Sequence, residues 1–136
     1  MKKILYISLD EVIAIHESMI DEYGGSHGIR DLGLIQSALA RPQATFGGED
    51  LYGDIFDKAA ALFHSLIFNH AFVDGNKCTT ISTTARFLYK NGYFFKNTPK
   101  IFFCQDLVSH HVQISPNSLF LLSLPKRKLI NTIIKC

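Results

Sequence analysis

The stretches DIFDKAAALFHSLIFN (residues 54–69) and NKCTTISTTARFLYK (residues 76–90) stand on either side of HAFVDG (residues 70–75). In the first stretch Ile55, Ala59, Leu62, Phe63, Leu66 and Ile67 recur at helical spacing and cover more than half the circumference. A helix that apolar belongs at the centre of a bundle rather than on its surface. The loop residues His70 to Gly75 break it. A second helix then runs from Asn76 to Lys90, with Asn91-Gly92 as its stop.

Working towards the N-terminus, Asp31 caps a shorter helix that places Leu34, Ile35, Ala38 and Leu39 on one face and closes at Pro42. Before it, Ser8-Leu9-Asp10-Glu11 is a capping box, in which the Ser8 oxygen accepts the N3 amide and Glu11 reaches back. Val12, Ile15, Met19 and Tyr23 follow as the expected buried stripe, and Gly24-Gly25 ends the helix. The segment from Ala44 to Gly53 holds Gly47, Gly48, Gly53, Glu49 and Asp50 without periodicity and is expected to be a loop. Towards the C-terminus, Tyr93-Phe94-Phe95 is expected to be a short extended piece. Two further helices are expected around 100–112 and 117–134, the last entered through Pro116 and broken at Pro125. The fold class is all-α: a compact bundle of about six helices, with a short β-hairpin or extended segment.

Composition agrees with a single domain over residues 1–136. Apolar residues make up 47% and charged residues 19%, enough for a core and too little charge for a disordered chain. Fourteen Lys+Arg against twelve Asp+Glu leave a formal +2. The one basic cluster, Lys126-Arg127-Lys128, is short and is expected to be a solvated surface turn, so no direct nucleic-acid contact is expected. Cys78, Cys104 and Cys136 are odd in number and widely spaced, which suits neither a disulfide framework nor a cysteine zinc site. The apolar start Ile4-Leu5-Tyr6-Ile7 is cut short by Ser8-Leu9-Asp10-Glu11, and no run suits a membrane helix. A reduced, cytoplasmic setting is the expectation.

Chemistry concentrates in His70-Ala71-Phe72-Val73-Asp74-Gly75-Asn76-Lys77. Polar groups crowded between two buried helices must be hydrogen-bonded or functional. Gly75 permits positive φ at a helix entrance, and the amides of Asn76, Lys77 and Cys78 open a helix whose N-terminus suits an anion. Lys77 adds a full positive charge where the helix dipole disfavours one, a hint of a ligand. Asp74 is placed to hold Mg²⁺ against phosphate oxygens, and His70 to take a proton from a hydroxyl. Base, metal carboxylate and phosphate cradle in one short run suit phosphoryl or nucleotidyl transfer. Plainer readings stay open: His70 as a helix cap, and Asp74-Gly75-Asn76 as an ordinary turn. The P-loop and calcium-loop spacings are absent. Phe72 is expected to anchor the loop in the core. His110-His111 points in two directions on a helix and His64 is poorly spaced from His70, so a metal-hydrolase centre is not expected.

The run HAFVDGNK (residues 70–77) resembles the HxFx[DN]GNK motif of the Doc (death-on-curing) toxins, a branch of the Fic/Doc (Fido) superfamily. GIRDLGL (28–34), SALARPQ (37–43), FGGEDLY (46–52) and FLYKNGY (87–93) fit the same family. The resemblance is clear over residues 4–95 and weak over 96–136. It implies a small Fido-like α bundle, with ATP and Mg²⁺ as cofactors. It implies His70 as the catalytic base, Asp74 as the metal carboxylate, and Gly75, Asn76 and Lys77 as the nucleotide-phosphate turn. Lys77 stands where the AMP-transferring Fic enzymes carry Gly, so the resemblance points to the Doc branch. That branch transfers the γ-phosphate of ATP to a threonine of elongation factor Tu, arresting translation, and is neutralised by a Phd-type antitoxin.

Cys78 departs from the pattern, because the family carries a phosphate-binding Arg after the Lys. Arg86 and Arg41 are the candidates to replace it. Two alternatives therefore stand beside the Doc-like kinase: Fic-type AMP transfer to a protein hydroxyl, and an attenuated Fido domain kept as the binding partner of an antitoxin. No inhibitory [ST]xxxE[GN] helix is found.

Overall fold

A computed structural model describes residues 3–93. Four α-helices dominate: α1 (Leu9–Tyr23), α2 (Leu32–Ala40), α3 (Ile55–Asn69) and α4 (Asn76–Lys90). A 3-10 turn (Arg41–Gln43) leaves α2, and strands β1 (Thr45–Phe46) and β2 (Glu49–Asp50) form a miniature antiparallel hairpin before α3. Helix α3 packs against α2 and α4, and α1 closes over α4. The all-α expectation holds, and α4 has the expected bounds. The helices expected around 100–112 and 117–134, and the extended piece beyond Tyr93, lie outside the described residues. None of the helices among the described residues is long and apolar enough to cross a membrane.

Local chemistry sets the helix starts. Ser8 accepts the Glu11 amide while Glu11 accepts the Ser8 amide, the reciprocal box expected of α1. Asp31 caps α2 through the Leu34 amide, and Asp54 caps α3 through the amides of Phe56 and Asp57. Gly24, at φ 85°, ends α1.

Two expectations are corrected. The buried stripe of α1 is Val12, His16, Met19 and Ile20, whereas Ile15 is half-buried and Tyr23 exposed. The apolar face is thus rotated and accommodates a histidine. The loop at 44–53 contains the hairpin, which Gly47 and Gly48 turn with φ of 62° and 84°. Paired positive φ is the turn that matches the twist of two short strands. The hairpin is moored by Lys58, 1% exposed, whose Nζ donates to Asp50 Oδ2 at 3.0 Å and to Pro42 O at 3.1 Å.

The core gathers Ile7, Val12, Ile35, Ala38, Ala59, Leu62, Leu66, Phe72, Phe87 and Leu88. Helix α4 contributes an unusually polar inner face, with Thr79, Thr80, Ser82, Thr83 and Thr84 all buried. Thr80 and Thr84 bond back to the carbonyls of Asn76 and Thr80. The hydroxyls of Thr79 and Thr83 have no partner among the described residues. An asparagine brackets each end of α4: Asn76 pairs its amide with both backbone groups of Phe72, and Asn91 does the same with Leu5.

Lys90 Nζ donates to Glu11 Oε1 at 2.7 Å and to Tyr6 O at 3.0 Å, tying the end of α4 to the start of α1. Burial alone would raise the Glu11 carboxyl, but Lys90 and Ser8 outweigh it and hold the group below the usual glutamate value. A carboxylate depressed in the folded state stabilises above its unfolded pKa, and that contribution is lost as pH falls through the depressed value. Acid unfolding below about pH 4.3 should therefore be less steep in Glu11→Gln than in the parent, as followed by circular dichroism. Parallel acid limbs in the two proteins would contradict it.

Candidate active site

Helix α3 ends at Asn69, and His70 takes the left-handed conformation, φ 47° and ψ 50°, that turns the chain away from the helix axis. His70 itself is exposed. Ala71 and Phe72 then dive into the core, Phe72 being 4% exposed as expected of an anchor. This segment is sewn antiparallel to the stretch before α2. Ala71 O accepts the amides of Arg30 (2.8 Å) and Asp31 (3.1 Å), and the Val73 amide donates to Gly28 O (3.1 Å). Gly28 adopts φ 135°, a conformation that favours glycine, and an added Cβ would lie a tight 3.0 Å from Val73 Cγ2. Arg30 Nη2 reaches the α3 C-terminus at Asn69 O (3.1 Å), where a cation complements the helix dipole.

The carboxylate of Asp74 is held from two sides. Its Oδ1 accepts the Gly75 amide at 2.7 Å and its Oδ2 accepts the Ser26 amide at 3.1 Å. Both oxygens keep a second lone pair, and the residue is exposed. Gly75 adopts φ 72° and ψ 19° as the N-cap of α4, and no side chain caps the helix there. A left-handed residue leading into a helix lines up successive amides as a concave anion cradle. Lys77 stands exposed on the first turn and Cys78 half-buried beside it.

Of the residues expected from the sequence, Asp74, Gly75 and Asn76 share one hydrogen-bonded turn, with Lys77 next along the helix. His70 is joined to them through the pinned strand Ala71–Val73. The Asn76 side chain is spent on the Phe72 backbone (3.0 and 2.8 Å), so what Asn76 offers an anion is its main-chain amide. Among the described residues no group of three His, Cys, Asp or Glu could hold a metal unaided. Asp74 nevertheless fits Mg²⁺, which commonly takes one or two carboxylates and completes its shell with water and phosphate oxygens.

Both candidates to replace the arginine have partners elsewhere. Arg86 lies about 12 Å along α4 from Cys78 at 1.5 Å per residue. Its guanidinium is 3.7 Å from Glu11 and packs over Tyr89. Arg41 Nε donates to Tyr52 Oη at 2.7 Å. His64 rests against the Phe68 ring.

Sequence reasoning passed over the residues behind the loop. His16, 2% exposed, donates from Nε2 to Asp74 O at 2.8 Å and stacks on Phe72 with ring centroids 4.0 Å apart. Ile20 backs Gly75 so closely that a Cβ there would be 2.9 Å from its Cδ1, and a Cβ on Gly25 would be 2.7 Å from Asp74 Oδ2. The available signal was a histidine at helical spacing between Val12 and Met19.

Comparison with known proteins matches residues 6–88 to the family model described as the Fic/DOC family. The chain is 53% identical over 70 residues to Toxin Doc of Mycolicibacterium smegmatis, a match covering 52% of this chain and 54% of that protein. It is 32% identical over 96 residues to Protein kinase doc of Escherichia phage P1, covering 71% of this chain and 75% of that one.

Proposed function

The chain belongs to the Fic/Doc family, and from that premise we propose that it is a Doc-like toxin transferring the γ-phosphate of ATP to a protein hydroxyl. The observation that carries the reading is the uncapped start of α4 behind left-handed Gly75, with the tethered Asp74 carboxylate at its rim and Lys77 on its first turn. The amides of Asn76 and Lys77 receive phosphate oxygens, and the Lys77 ammonium adds charge to the same group. Asp74 would hold Mg²⁺, which when bound neutralises charge on the phosphates. His70 accepts the proton of the attacking hydroxyl as its oxygen bonds to the γ-phosphorus and the bond to ADP breaks. Lys77, in place of the Gly of the AMP-transferring pattern, favours phosphate over AMP as the group moved.

The substrate is a translation factor resembling elongation factor Tu, and the partner a Phd-like antitoxin. Both fit a cytoplasmic protein, and the phage P1 relative bears the name of a protein kinase. The test is incubation with a bacterial extract and ATP labelled at the γ or at the α position. Label arriving on protein only from the γ position is the expected result. Label from the α position would assign AMP transfer instead. Cys78, with Arg86 and Arg41 engaged elsewhere, favours a second reading as an attenuated domain. ATP binding without any transfer would select that one.

A further inference from the structure

We infer that His16 is a positioning residue which fixes the peptide between Asp74 and Gly75 in the orientation the phosphate cradle needs, an inference that rests on the reading above. Gly75 makes this necessary. A glycine at φ 72° moves easily between left- and right-handed regions, so the peptide before it can rotate unless something holds it. In a trans peptide the carbonyl and the following N–H point in opposite directions. With Asp74 O drawn 2.8 Å from His16 Nε2 on α1, the Gly75 N–H points away from α1, where Asp74 Oδ1 meets it at 2.7 Å. Rotation of that peptide would turn a carbonyl oxygen towards the cradle, where it would repel phosphate.

His16 is built for this hold. It is buried, stacked on Phe72 with an interplanar angle of 11°, and its Nε2 faces a carbonyl, which requires a proton on that nitrogen. The Gly75 face nearest it is closed by Ile20 Cδ1, with His16 Cδ2 and Nε2 3.7 Å from where a Cβ would be. One helix thus grips the Asp74 carbonyl, and the amide of Ser26 just beyond its end grips the carboxylate.

The experiment compares His16→Gln, whose amide nitrogen can reach the Nε2 position, with His16→Asn, whose donor falls short, and with His16→Leu, which has none. Each protein is checked for a cooperative melt and titrated with MgATP by calorimetry. Leu and Asn are expected to weaken binding by about tenfold or more while Gln stays within about threefold of the parent. A purely structural histidine would lower the melting temperature without moving the affinity of the folded protein. If His16→Leu does not fold, the Asn and Gln pair decides. Folded Leu or Asn variants that bind like the parent, or a Gln variant as weak as Asn, would overturn the inference. Should the parent itself not bind MgATP, the phosphotransfer reading fails. The inference is then decided on the ligand-free protein by deuterium exchange at the Gly75 amide, expected to be slow in the parent and Gln and faster in Asn. Equal exchange in all three would overturn it.

Discussion

His70→Gly should melt a few degrees above the parent chain and lose phosphotransfer almost completely. Among the described residues His70 is the single non-glycine residue at positive φ, 47°. The left-handed region costs an L-residue about 1–2 kcal/mol. Glycine removes that cost but loses more conformational freedom on folding, roughly 0.5–1 kcal/mol, which leaves a net gain of about 0.5–1 kcal/mol. For a domain of this size such a gain is worth about 2–8 °C. With His70 as the proposed base, removing the imidazole takes away the acceptor of the hydroxyl proton, an expected loss of about 10²–10⁴ in rate. His70→Asn is the companion, because asparagine tolerates the same backbone and brings no base. Thermal melts and initial rates of γ-label transfer read both arms. A lower melting temperature for Gly would show that His70 is not strained, and transfer surviving in either variant would show that it is not the base.

Cys78→Arg is expected to raise the rate of transfer by about 10²–10³, the size of one well-placed charge-assisted contact in a transition state. Position 78 lies in the first turn of α4, next to the amides and to Lys77, and the guanidinia of Arg86 and Arg41 are held at Glu11 with Tyr89 and at Tyr52. A second cation at a helix N-terminus costs about 0.3–1 kcal/mol, so the more active variant should also be slightly less stable. Initial rates and growth after induction measure the gain. An unchanged rate would mean that Lys77 and the main-chain amides already saturate the phosphate.

What was legible in the sequence is what depends on near neighbours. Ser8 and Asp31 cap their helices through amides three residues away, and such bonds leave a local signature. Gly47-Gly48 is also a turn signal, but strands of two residues on either side show no alternation to detect. His16 shifted the reading of α1 because a polar residue on an apolar face is recognised only when its partner is known, and that partner is 58 residues away. Lys58 hides in the same way: a lysine in an apolar helix looks solvated until Asp50 and Pro42 are seen around it. The order of residues 70–77 marked the loop as chemical. It did not reveal that the Asn76 side chain is structural, or that Gly25 and Ser26 lie against the Asp74 carboxylate while Gly28 holds Val73.

The seam between residues 26–31 and 71–74 also sets a timetable. Its bonds close loops of 40–48 residues, and contacts of such separation are expected to form after the local helices, once most of the entropy of loop closure has been met. Helices α1 and α3 can flicker into shape on their own, but neither can hold Asp74. A nascent or half-refolded molecule without the seam therefore carries every residue of the candidate site but does not yet hold Asp74, and transfer on the proposed reading is expected to follow closure of the seam rather than to grow in step with helix content.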